Sequence, residues 1–286
     1  MSVEKPLCFR CEGAWLYGIA HLPDAPQRRG VLIVVGGPQY RVGSHRQFLL
    51  LARHLAGSGI PTLRFDYRGM GDSDGESCSF EHTDLDIGAA INELFSLAPS
   101  LEEAVIWGLC DAASAALFYA HRDPRVAGLV LLNPWVRTEA GIAKVYLKNY
   151  YPARLFDPNL WRKIIRGKFD FSLAMHSFLG LAAAGLGRAQ AVDSPSGGVG
   201  REAGSLPDRM LDGLRRYQGR VLLILSGQDL TAQEFRDLSS ASPQWREQLA
   251  FPRLIRHELA EANHTFSKRQ WRDQVAAWTA EWVQET

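Results

Sequence analysis

The stretch Ala104-Val105-Ile106-Trp107-Gly108-Leu109-Cys110-Asp111-Ala112-Ala113-Ser114 decides the fold. Four apolar, mostly β-prone residues run into Gly108, a lone cysteine follows two positions later, and small residues continue in helical rhythm through Ala115, Ala116 and Leu117. The pattern reads as a strand, a sharp turn and a helix. In an elbow of the form G-x-S-x-G the residues flanking the nucleophile must be small, because strand and helix backbones nearly touch there. Gly108 and Ala112 meet that demand, with Cys110 in the nucleophile's place. Such a thiol lies at a helix N-terminus, where exposed N–H groups and the macrodipole favour the thiolate. From these residues alone Cys110 reads equally well as a small buried core residue.

The composition bounds the class. With 286 residues, 46% hydrophobic and 22% charged, the chain suits one large α/β domain with an insertion, or two small domains. A formal net charge of +1 gives no overall push toward nucleic acid or membrane. The first residues lack an apolar signal core and no run approaches the roughly 20 apolar residues of a membrane span, so a soluble cytoplasmic protein is expected. Four cysteines, Cys8, Cys11, Cys78 and Cys110, are too few and scattered for a disulfide framework. Cys8 and Cys11 resemble half a zinc site, but no second pair matches and strand positions three apart face opposite sides, so neither metal nor cofactor is expected. Cys78 reads as an inert loop thiol.

Strand-like and helical segments alternate outward from the elbow. Residues 7–11 and 14–21, joined at Glu12-Gly13, form an edge hairpin. The run 31–35 is apolar throughout, β-branched except for Leu32, and reads as buried on both faces, as in a parallel sheet; it ends in Gly36-Gly37-Pro38, and residues 45–56 follow with helical spacing. Residues 61–65 form a strand that enters the turn-forming loop Asp66-Tyr67-Arg68-Gly69-Met70-Gly71-Asp72-Ser73, where Asp66 and Arg68 read as loop braces through a salt bridge. A helix carrying Ile87, Ile91 and Leu94 precedes the elbow strand; residues 126–132 form a further strand. The alternation predicts a mostly parallel sheet wrapped by helices.

From Trp135 the alternation stops. Residues 135–186 are rich in aromatic and basic side chains, Arg137, Lys144, Tyr146, Lys148, Tyr150 and Tyr151 among them, and 187–205 are rich in glycine, serine and alanine. The expectation is a helical cap with a flexible segment over 135–206, inserted into a core of 1–134 and 207–286, and its solvated basic face also allows peripheral contact with an anionic membrane. A helix over 207–217, a strand at 221–225 ending near Asp229, a strand near 254–259 leading to His264, and a last helix with Trp271, Val275, Trp278 and Trp282 as an apolar core stripe complete the chain.

Gly36-Gly37, Cys110, Asp229 and His264 thus fall at carboxyl ends of expected strands, the edge where open α/β sheets bind ligands. Their chain order is nucleophile, acid, histidine. The sequence resembles the α/β-hydrolases: besides the elbow it has Asp66-x-Arg68-Gly69-x-Gly71-x-Ser73, a Gly-Gly-Pro turn like the His-Gly-Gly-Pro of prolyl-peptidase-like members, and Asn263-His264-Thr265-Phe266. Residues 36–48 and 107–116 more narrowly resemble the first of two hydrolase types associated with exosortase A systems in exopolysaccharide-making bacteria. Two departures stand out: Val35 replaces the usual histidine before Gly-Gly, and cysteine replaces serine at the elbow.

The resemblance implies an α/β-hydrolase fold, a mostly parallel central sheet of about eight strands flanked by helices with a helical cap insertion. It also implies a hydrolase acting on a small-molecule carboxylic ester or thioester through Cys110, His264 and Asp229. The oxyanion falls to backbone N–H groups of Gly37 and Asp111, because Pro38 has none, with Gln39 as a fallback. Gln39, His45 and Trp135 are candidates for substrate contact, and Ser114, one helical turn inside the helix, is a poor alternative nucleophile. Asp229 also reads as an ordinary helix N-cap. Two other functions fit the same residues: an acyltransferase using the same triad, and a catalytically silent hydrolase fold that binds a partner.

Overall fold

The β-branched run ending at Val35 takes a place with strands on both sides, and the sheet extends outward from it. A computed structural model describes residues 2–37, 39–136 and 204–285. The chain separates into two compact units, Met1–Val136 with Asp208–Thr286, and Arg137–Pro207. Apart from Trp135, Val136 and residues 204–206, the segment expected to form the helical cap lies outside the described residues.

Eight strands, β1 (Ser2–Cys11), β2 (Ala14–Pro23), β3 (Arg29–Val34), β4 (Thr62–Phe65), β5 (Glu103–Leu109), β6 (Val126–Leu132), β7 (Arg220–Gln228) and β8 (Leu254–Asn263), lie in the order β1-β2-β4-β3-β5-β6-β7-β8. Neighbours from β4 to β8 run parallel, while β1 and β2 are antiparallel. The hairpin turns at Glu12 and Gly13, whose φ values of 48° and 82° suit a two-residue turn that follows the sheet's twist. Cys8 is exposed and Cys11 buried, and burial pushes the Cys11 thiol up to about 11.

The described helices are α1 (Gln47–Gly57), α2 (Asp84–Leu97), α3 (Asp111–Tyr119), α4 (Leu206–Arg216), α5 (Leu230–Ala241), α6 (Pro243–Leu249) and α7 (Arg269–Gln284). Alternate residues of the central strands, among them Val31 and Ile33, Val105 and Trp107, and Leu222 and Ile224, share one cluster with Phe48, Leu51 and Leu55 of α1 and Trp271, Val275 and Trp282 of α7. The side-chain period of two thus gives each central strand one face for α1 and α7 and another for helices on the opposite side. Trp278 is partly buried and stacks on His257 with ring centroids 4.3 Å apart. No described helix is long and apolar enough to cross a membrane.

Two boundaries differ from the sequence expectation. Helix α1 starts at Gln47 rather than residue 45, because His45 and Arg46 hold positive φ angles of 54° and 60° and Ser44–Arg46 form a separate 3-10 turn. Strand β8 runs on to Asn263, four residues past its expected end, through a register shift between Ser226 and Gln228 of β7.

This topology positions the site. The chain leaves β3 toward β4 on one side and returns to β5 on the other, so the two loops after β3 and β5 part at a switch point, where an α/β sheet opens a crevice. Val34 pairs with Gly108, Leu109 with Leu132, and Leu132 with Ile224, so β3, β5, β6 and β7 end at one edge.

Candidate active site

Cys110 stands between β5 and α3 with φ 65° and ψ −124°, a conformation that a side-chain-bearing residue adopts only under constraint, at a cost of about 1–3 kcal/mol. The constraint is visible in the backbone. The Cys110 N–H donates to the Leu132 carbonyl at 2.9 Å, and the Cys110 carbonyl accepts from Ala113 at 3.1 Å and from Trp135 at 3.2 Å. The Ser114 hydroxyl donates to the Trp135 carbonyl at 2.7 Å, which fixes this buried group as a tie between helix and loop rather than a nucleophile.

Close approach explains the flanking glycines. A Cβ on Gly108 would lie 2.6 Å from the Ala112 carbonyl carbon and oxygen; one on Gly36 would lie 2.5 Å from the Leu109 carbonyl oxygen and would overlap the Asp111 carboxylate. Gly108→Ala is therefore expected to force β5 and α3 apart and lower stability by about 1–3 kcal/mol. Urea unfolding measures this, and an unchanged midpoint would refute the close approach.

Asp229 and His264 are joined. His264 Nδ1 lies 2.9 Å from Asp229 Oδ2, with 8% of the Asp229 side chain exposed and 33% of the His264 side chain. Asp229 is also the N-cap of α5, accepting from the Thr231 N–H at 3.3 Å and the Ala232 N–H at 3.0 Å. Asp229 thus caps α5 and hydrogen-bonds the imidazole with the same carboxylate, so the cap holds in place the group that faces Nδ1. Burial raises its pKa, but the hydrogen bond and charge of His264 and the two backbone N–H groups outweigh burial and hold it below the ordinary carboxylate value. A carboxylate at Nδ1 keeps the proton there and leaves Nε2 as the accepting nitrogen.

The His264 loop is held by residues the sequence reading did not single out. Asn133, fully buried with φ 44°, donates from Nδ2 to the Ser226 hydroxyl at 2.9 Å and the His264 carbonyl at 3.0 Å, while its Oδ1 accepts from the Ser226 N–H at 2.9 Å. One amide thus ties the ends of β6 and β7 to the histidine loop. The signal was an asparagine directly after a buried strand, since asparagine tolerates this backbone region better than most residues. Asn263 brackets the loop, accepting from the Ser267 N–H at 3.0 Å and donating to its hydroxyl at 2.8 Å, and Phe266 anchors it with 2% exposure.

Across the switch point, Gly37, at φ 62°, donates its N–H to the Asp111 side chain, 2.7 Å from Oδ1 and 2.9 Å from Oδ2. The Ala112 N–H adds a bond to Oδ1 at 2.9 Å. Burial raises the Asp111 pKa above its ordinary value, although bonds from the backbone N–H groups of Gly37, Ala112 and Asp111 itself and the nearby His264 charge oppose that rise. The Gln39 side chain accepts from the Ser44 N–H at 2.9 Å, and His45 sits in the adjoining 3-10 turn. Gln39, Tyr40, Ser44, Met70 and Asp72 help line an open cleft of about 650 Å³ between the loops after β3 and β4.

Asp66 and Arg68 brace this region, but not through each other. Asp66 is buried, pairs with Arg41 and accepts from the Arg41 N–H at 2.6 Å; Arg68 pairs with the buried Asp86 at 2.9 Å. Both partners come from other segments of chain, which the local pattern could not reveal.

The profile of the alpha/beta hydrolase family matches residues 31–278. The chain belongs to the alpha/beta hydrolase family, as the strand order and the elbow indicate. A search of curated proteins finds no match. Among solved structures it is similar to the esterase Pf2001 of Pyrococcus furiosus, with 14% identity over 99% of this chain and 91% of that one and a TM-score of 0.65. It is also similar to Est1E from Butyrivibrio proteoclasticus, solved with ferulic acid bound, with 15% identity over 98% of each chain and a TM-score of 0.64. At these identities the likeness is one of fold.

Proposed function

We propose that the protein hydrolyses a carboxylic ester or thioester through Cys110, His264 and Asp229. The observation that carries the reading is the 2.9 Å bond between Asp229 and His264 at the same sheet edge as the strained Cys110 turn. His264 Nε2 takes the proton of the Cys110 thiol as Sγ attacks the acyl carbon, and the carbonyl electron pair moves to oxygen. The tetrahedral intermediate collapses, the leaving alkoxide or thiolate takes the proton from His264, and a thioester remains on Cys110. Water then gives a proton to Nε2 and adds to the thioester; Cys110 leaves as thiolate and takes the proton back from Nε2, and the acid product departs. Backbone N–H groups of Gly37 and Asp111 receive the oxyanion, and Gln39, His45 and Trp135 contact the substrate. The likeness of residues 36–48 and 107–116 to exosortase-A-associated hydrolases supports a place in exopolysaccharide-linked metabolism and does not supply the substrate.

Incubation with p-nitrophenyl esters from acetate to decanoate, followed by peptide mass spectrometry, is expected to find the acyl group on the peptide that carries Cys110. Burial raises the pKa of both Cys11 and Cys78, which makes them poor competitors at neutral pH. Turnover with acylation confined to other residues would overturn the reading.

A further inference from the structure

One of the groups assigned to the oxyanion, the Gly37 N–H, already holds an anion. The Asp111 carboxylate does more than stay at the start of its own helix, as an acid in a first turn ordinarily does. It reaches across the switch point to the Gly37 N–H, with both oxygens within 2.9 Å, and also accepts from the Ala112 N–H at 2.9 Å. Gly36 makes the seat possible, since a Cβ there would overlap Oδ1. A half-buried carboxylate that bridges two loops through the Gly37 and Ala112 N–H groups is held in place, and it takes up one of the two donors that a tetrahedral oxyanion needs.

Resting on the triad reading above, we propose that the Asp111 side chain is a specificity-determining residue that occupies the oxyanion site, so that an acyl carbonyl enters only by displacing it. Two anions cannot share the Gly37 N–H group, so the carboxylate must swing out or take up a proton before Cys110 attacks. Binding energy from parts of the substrate remote from the reacting carbon drives that displacement. The substrate class this selects is an ester or thioester with an extended acyl or leaving portion, and minimal esters are rejected because they bring little remote binding energy.

The test compares wild type, Asp111→Ala, Asp111→Ser and Asp111→Asn on p-nitrophenyl acetate and p-nitrophenyl decanoate, with Cys110→Ala as the control for the chemistry. One oxyanion donor is worth about 10²–10³ in rate, so freeing the site is expected to raise kcat/KM for the acetate by about tenfold or more. The gain for the decanoate is smaller, because its chain already supplies the displacement. Asp111→Asn, a neutral occupant of the same size, is expected to fall between wild type and Asp111→Ala. Serine at this position still accepts hydrogen bonds at the start of α3, and asparagine keeps the bridge to Gly37, so these variants carry the test if the alanine protein does not fold.

A lower or unchanged kcat/KM for the acetate in the folded variants, with Cys110→Ala inactive, would overturn the proposal and leave Asp111 as a brace for the Gly37 loop. Equal gains on both esters would remove the specificity role. Full activity in Cys110→Ala would instead defeat the triad reading itself.

Discussion

Cys110→Ala is expected to lower ester turnover by about 10³-fold or more while leaving the fold intact. The size follows from covalent catalysis: without the sulfur no acyl-enzyme forms, and only binding and any oxyanion stabilisation remain to assist direct attack by water. The fold is expected to survive because the elbow is held by the backbone. The bonds of Cys110 to Leu132, Ala113 and Trp135 use N–H and carbonyl groups that alanine also has, and the small flanking residues are unchanged. The strain of a side chain at φ 65° is also nearly the same for cysteine and alanine, since each carries a Cβ. Steady-state rates on the most reactive ester of the series, with urea unfolding alongside, measure both halves. Turnover within tenfold of wild type would show that Cys110 is a core residue and not the nucleophile.

The parts of this site that local chemistry dictates were readable from the chain. Gly108 and Ala112 announce the elbow because a Cβ on Gly108 would lie only 2.6 Å from the Ala112 carbonyl, a requirement met by residue size alone. Glu12-Gly13 announces the hairpin because its φ angles are needed by any two-residue turn of this kind. The strand run at 31–35 announces a central parallel strand because both of its faces are buried. The tertiary hydrogen bonds were not readable. Asn133 and Ser226 lie 93 positions apart, and nothing local to either states that one amide joins them to the His264 carbonyl. Arg41 and Asp66 lie 25 positions apart, in a loop and at a strand end, so the pattern at 66–73 suggested a partner within itself. Asp111 was legible as a backbone donor next to the nucleophile, whereas the direction of its side chain is set by the missing Cβ of Gly36 on a different loop.

Asp229→Asn is expected to cut turnover about 10³–10⁴-fold while costing only about 1 kcal/mol of stability, from the one cap bond it gives up. Asparagine caps helices as well as aspartate does, and its Oδ1 keeps the Thr231 N–H; the Ala232 N–H, which donates to Oδ2, loses its acceptor when the NH₂ takes that place beside His264. The amide NH₂ then faces His264 Nδ1, which must accept rather than donate, and the imidazole proton moves to Nε2. In that tautomer Nε2 cannot take the thiol proton; the same substitution in a serine-protease triad costs about 10⁴ in kcat. The pH dependence of stability carries an independent mark. The folded-state pKa of Asp229 is depressed, so the carboxylate contributes stability above its unfolded value, and that contribution is lost as pH falls through the lower folded value. Wild type should therefore lose more stability on acidification through that window than Asp229→Asn, which has no carboxylate to protonate. Equal acid sensitivity together with retained turnover would mean that Asp229 serves α5 as a cap and does not orient His264.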